Sequence, residues 1–172
     1  MTIRCLITGV VLFCLTGFSQ AEIINIGWGA PDELSIRVGA VTGVTTVTHD
    51  IPVTNIGDGT PITGEPALVV IEASARRAAR RDSNRRSFVV TADSSTPLSN
   101  GIYTIPFSDI SWVSADGDIP AGRFDGTTDQ EILGETKARY MVTDRLTFSY
   151  DNTRYLPAGL YTGSVTYTVS IP

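Results

Sequence analysis

From Tyr161 to Ile171 the chain keeps a strict two-residue rhythm. Tyr161, Gly163, Val165, Tyr167, Val169 and Ile171 alternate with Thr162, Ser164, Thr166, Thr168 and Ser170. A helix cannot use that pattern, because its faces repeat every ~3.6 residues, whereas a strand with one face in a core and one in water can. The same rhythm or a dense β-branched run recurs in "ELSIRVGAV", "TTVTHDIPVTN", "PALVVIEASA", "RSFVVTAD", "GIYTIPFSDISWV" and "RYMVTDRLTFSY". Between them stand "NIGDGTPITGEP", "SSTPLSNG", "SADGDIPAG" and "YDNTRYLPAG", which are turn chemistry. About seven or eight strands with turn signals between them point to an antiparallel β-sandwich and away from a parallel α/β sheet.

The first residues, "MTIRCLITGVVLFCLTGFSQA", have one positive charge (Arg4), an apolar stretch from Cys5 to Phe18, and small residues at Ser19 and Ala21. That is the layout of a secretory signal peptide, so residues 1–21 are expected to be removed and 22–172 to form one domain. The apolar run is shorter than the ~20 residues that span a bilayer, and no later stretch is apolar enough, so no membrane span is expected after cleavage. Both cysteines, Cys5 and Cys14, lie in this leader. No disulfide is therefore expected in the remainder, which must hold by core burial.

Charge is unevenly spread over a chain of net charge −5. The stretch "SARRAARRDSNRRSF" carries a basic patch, Arg76, Arg77, Arg80, Arg81, Arg85 and Arg86, with Asp82 as its one acid. An acidic patch follows: Asp109, Asp116, Asp118, Asp125, Asp129, Glu131 and Glu135, against Arg123 alone. The arginine run is expected as an exposed connection between strands near Val70 and Val89, with room for one or two helical turns. Nucleic-acid binding is not expected, because the domain as a whole is acidic, Phe88 is the one aromatic near the run, and the leader directs the chain out of the cytoplasm. Arginine forks do suit the phosphates or carboxylates of an acidic glycan or lipid headgroup. They also suit the acidic patch of a second copy, and such a head-to-tail contact builds filaments when it does not close.

No catalytic residue is expected. His49, the only histidine, would have to serve any Ser-His-Asp triad, and it sits in the strand-like "TVTHDIPV". A zinc site lacks ligands, since such sites need several histidines or cysteines. "DGD" at Asp116–Asp118 does not carry the spacing of a calcium loop and reads as a turn. Neither cofactor nor metal is expected. Trp112 reads as a core residue.

The tail resembles the C-terminal strand of pilus subunits assembled by the chaperone–usher route. Members of that superfamily typically carry a glycine 14 residues from the end, then alternating hydrophobics and a penultimate tyrosine. Here Gly159 holds the glycine position and the alternation follows it, while Ile171 is penultimate and Pro172 is last. The wording "LPAGLYTGSVTYTVS" is similar to tails of the alternative and spore-coat-U-like branches. The resemblance implies an immunoglobulin-like sandwich lacking its last strand. It further implies a groove lined by Tyr161, Val165, Tyr167, Val169 and Ile171, next to Gly159. A periplasmic chaperone, and later another fibre subunit, would fill that groove by strand addition. The candidate donor is "EIINIGWGAPDE", where Ile24, Ile26 and Trp28 alternate; it reads equally as the domain's own first strand. The expected function is thus a secreted structural or adhesive subunit of a bacterial surface fibre, passing through the periplasm to the cell surface. The alternative is a monomeric extracellular or periplasmic module that binds an acidic glycan or lipid headgroup through Arg76–Arg86.

Overall fold

The computed structural model describes residues 10–16, 32–39, 46–77, 87–136 and 141–171. Among them are fourteen strands: β1 (Val10–Thr16), β2 (Asp32–Val38), β3 (Thr46–Pro52), β4 (Ile62–Thr63), β5 (Val69–Arg77), β6 (Val89–Asp93), β7 (Leu98–Ser99), β8 (Thr104–Ile105), β9 (Ile110–Ser114), β10 (Gly122–Arg123), β11 (Gln130–Leu133), β12 (Met141–Tyr150), β13 (Leu160–Gly163) and β14 (Thr166–Ser170). The fold is all-β and sandwich-like, as the alternation requires. Three sheets are laid out in the orders β10-β9-β12-β5-β2, β3-β1-β13-β7-β8 and β11-β6-β14, with β4 added beside β12. The ladders are antiparallel except β1 with β13, which is parallel.

Strand β12 shows how pattern becomes packing. Val142, Asp144, Leu146, Phe148 and Tyr150 all turn inward, every second residue over the strand's length. Four of these are apolar and join a core in which Phe124 stacks on Phe148 at 6.0 Å and meets Trp112 at 4.9 Å. Trp112 is buried, and its indole N–H donates to the Pro120 carbonyl at 2.8 Å. The exception, Asp144, is buried but fully used. It accepts from Ser114 Oγ (2.7 Å) and from the backbone N–H groups of Asp116 (3.1 Å), Ile119 (2.6 Å) and Arg145 (2.7 Å). Burial disfavours its charge, and these hydrogen bonds outweigh that penalty, holding its pKa below the ordinary carboxylate value.

Two expectations need correction. The tail is not one strand: it divides at Ser164–Val165 into β13 and β14, which lie in different sheets. The cause is the neighbouring chain. Thr162 faces Ser99 and Thr166 faces Asp93, so four residues of advance along the tail meet six along its partner. The excess is a turn after Asp93, whose carboxylate accepts from Ser95 N (3.0 Å) and Ser95 Oγ (2.7 Å). Since β6 runs on into β7 and β13 into β14, the two smaller sheets continue one another on one face of the sandwich. Nor does the connection begin at the first arginines, because β5 runs on through Arg76 and Arg77. Their register partners on β2 are Glu33 and Asp32.

Candidate strand-accepting site

The gap between β3 and β13 is one strand wide, and β1 fills it. The whole of β1 pairs antiparallel with β3, from Val10 opposite Pro52 to Thr16 opposite Thr46. On its other side it pairs parallel with β13, from Leu12 opposite Leu160 to Leu15 opposite Gly163. The strand in this slot belongs to the apolar stretch of the expected leader. Apart from β1, β3 has a single backbone bridge to the rest of the described residues, Thr48 with Glu65, at 2.8 Å in both directions.

The walls are apolar and inward-facing. From β3 come Val47, His49 and Ile51, all buried; from β13 comes Tyr161, fully buried, whose hydroxyl donates to the Pro157 carbonyl at 3.1 Å. Beyond Gly163 the line continues through Val165 and Tyr167, both buried, and through Val169 and Ile171, half-buried against the core. Burial drives the Tyr167 hydroxyl well above the usual tyrosine pKa. Among the described residues β14 pairs only with β6, so its other edge is open and lies beside β2. Of the groove residues expected from the sequence, Tyr161 flanks the slot, whereas Val165 follows it and Tyr167, Val169 and Ile171 lie on or after β14, which pairs with β6, so the run spans two sheets. Gly159 stands at its start, where a Cβ would come within 3.3 Å of Asn100 Nδ2. The candidate donor residues Ile24, Ile26 and Trp28 lie outside the described residues.

His49, which the sequence places in a strand-like run with no catalytic role, is a wall residue. Its Nδ1 pairs with the Ile62 carbonyl at 2.9 Å, while Nε2 is buried with no hydrogen-bond partner. The carbonyl can only accept, so the proton sits on Nδ1. Burial lowers its pKa below 6.5, only partly opposed by that hydrogen bond. Gly64 makes room for the ring, since a Cβ there would lie 2.3 Å from Val47 Cγ1 and 3.1 Å from His49 Cε1. A second residue the sequence did not single out is Asn152. It is buried, holds φ at +53°, and ties the loop after β3 to the loop before β13. Its Oδ1 accepts from Gly57 N (3.0 Å) and its Nδ2 donates to the Asn55 carbonyl (2.7 Å). The signal for it was the turn cluster "YDNTRYLPAG", since asparagine tolerates the left-handed region.

The charged residues are dispersed. Of the basic patch, Arg76 and Arg77 end β5, and Arg80, Arg81, Arg85 and Arg86 lie outside the described residues. In the acidic segment, Asp109 pairs with Arg154 at one end of β9. At the other end Asp116 makes a two-pronged pair with Arg145, at 2.9 and 2.7 Å. Asp125 closes its own turn by accepting from Thr127 N (2.8 Å) and Thr127 Oγ1 (2.7 Å). Asp118 and Glu135 share a shallow cleft with Leu133 and Val142, while Asp129 and Glu131 are exposed. Among the described residues no group of three or more His, Cys, Asp or Glu converges as a metal site would, and no helix is long and apolar enough to cross a membrane. No protein-family model matches this sequence, and no curated protein matches it.

Proposed function

We propose that this chain is a secreted subunit of a bacterial surface fibre, built by adding a strand from one copy to the slot of the next. One observation carries the reading: the strand that completes the sheet between β3 and β13 comes from residues 10–16, inside the segment whose sequence marks it for removal. Removing it leaves two unpaired backbone edges and an apolar floor. An extended segment with alternating apolar residues satisfies both, because ladder hydrogen bonds give affinity and side-chain sockets give selectivity. In transit the occupant would be a periplasmic chaperone's strand, and in the fibre the segment from Glu22 to Ala30 of another copy.

The test is size-exclusion chromatography with light scattering on the chain beginning at Glu22, at low and at high salt. Polymers that persist in salt are expected, because buried strand pairing is barely screened. A chain beginning at Asp32, which lacks the segment, is expected to stay monomeric. Polymers of equal size from both chains would refute strand addition. Polymers that dissolve in salt would shift the explanation to contacts between the arginine run and acidic residues.

A further inference from the structure

Eight large hydrophobic side chains stand exposed among the described residues, and five gather at one end of the slot: Val53 (57%), Ile102 (83%), Tyr103 (45%), Tyr155 (89%) and Leu160 (48%). The registers place them together. Val53 follows Pro52, which is opposite Val10 at the beginning of β1, and Leu160 opens β13 at the same end. The β7–β8 turn that carries Ile102 and Tyr103 reaches this end because Thr162 faces Ser99 and the chain then turns back. Tyr155 lies in the loop leading into Leu160, with its backbone N 3.1 Å from where a Cβ on Gly57 would stand.

The loops that present these side chains are held in place. Asn100 Oδ1 accepts from the backbone of Ile102 (3.0 Å) and of Tyr103 (2.8 Å), and Ser99 Oγ accepts from Gly101 N (2.9 Å). Asn152 fixes the loop after Val53 through Asn55 and Gly57, and the Gly59 N–H donates to its carbonyl at 3.0 Å. A surface ordered before contact loses less entropy on binding, and a cluster of exposed apolar residues of this kind marks an interaction site.

Building on the strand-addition reading, we infer that this apolar pole is the docking surface for the body of the next copy of the chain. Ten residues, Glu22 to Pro31, precede β2, which begins at Asp32. A donor strand that uses Glu22–Ala30 therefore leaves one residue of slack, ~3.5 Å of chain. Its folded body must abut whichever end of the slot the strand leaves. A strand antiparallel to β13 leaves at the Leu160 end, where the exposed apolar residues are; a strand parallel to β13 leaves at the opposite end, beyond Gly163 and Thr46. The pole thus selects the antiparallel insertion and rewards it with a second contact.

The experiment compares the chain from Glu22 with its Ile102→Ser/Tyr155→Ser double variant and with a Val113→Ser control. Val113 is comparably exposed (58%) but lies on β9, away from the slot. Two readings are taken: binding of a synthetic peptide of residues 22–31 to each chain, with its own 22–30 deleted, and the assembly rate of each intact chain by light scattering. The double variant is expected to bind peptide within about twofold of the unsubstituted chain and to assemble at least tenfold more slowly, with the control unaffected. If the double variant assembles as fast as the unsubstituted chain, or the control slows equally, the docking surface is overturned and the slot stands. A chain that binds peptide but never assembles overturns it too. Absence of peptide binding by the unsubstituted chain overturns the strand-addition reading, and the docking surface with it.

Discussion

His49 puts a titratable ring on the wall of the slot that β1 fills. In the folded chain its pKa lies below 6.5 because the ring is buried, and its Nε2 has no partner to stabilise a proton. Above pH 6.5 the ring is neutral in both folded and unfolded chains, and its contribution to stability is constant. As pH falls below 6.5 the unfolded chain takes up a proton that the folded chain refuses, so stability is lost until the lowered folded pKa is reached. The unfolding temperature is accordingly expected to fall from pH 7 to pH 5, and a His49→Gln variant to lose part of that slope. Identical slopes in the two proteins would remove His49 as the cause. Little of this residue's role was legible in the sequence. A lone histidine in a strand-like run does not say which neighbour its nitrogens will find, because Ile62 and Gly64 reach it through tertiary packing. The same holds for Asp144: nothing local marks it as an inward carboxylate, and its partners Ser114, Asp116 and Ile119 come from another strand and turn.

At the scale of the strand, periodicity was a reliable guide to facing and a poor one to partners. The tail's odd positions, Tyr161, Val165 and Tyr167, are buried as the alternation demands, while Thr162, Thr166 and Thr168 are exposed. The break at Ser164–Val165 could not be read there, because it is set by two extra residues in the opposite chain between Asp93 and Ser99. Residues 10–16 were hidden for a different reason. A continuous apolar run suits a leader and a buried strand equally, and no period separates the two. The slot has a thermodynamic signature at this scale. A peptide of residues 22–31 that binds only the folded chain, present at ~100 times its dissociation constant, adds ~2.7 kcal/mol. For a chain of this size that raises the unfolding temperature by ~5–10 °C. Differential scanning calorimetry on the chain beginning at Asp32 makes the measurement, and an unchanged transition would mean that the peptide finds no slot.

Across the whole molecule, the charge polarity that stands out in the sequence becomes less suited to assembly once folded. Asp109 and Asp116 are already paired with Arg154 and Arg145 of their own chain, and of the two the exposed Asp116–Arg145 pair contributes little to stability. The apolar pole gathers residues from loops that are far apart in sequence, so no window of the chain could have announced it. The position of β1 also bears on timing. An uncut chain carries its own stopper, and the stopper runs parallel to β13. On this reading the proteolytic cut acts as a one-way clock: before it a subunit has no vacancy, and after it the vacancy cannot be closed by the same piece of chain. The full-length chain, refolded with its leader attached, is accordingly expected to take up no 22–31 peptide, and uptake equal to that of the cut chain would break the link. Polymerisation would then be licensed at the place where the leader is removed, so subunits still inside the cell could not begin a fibre.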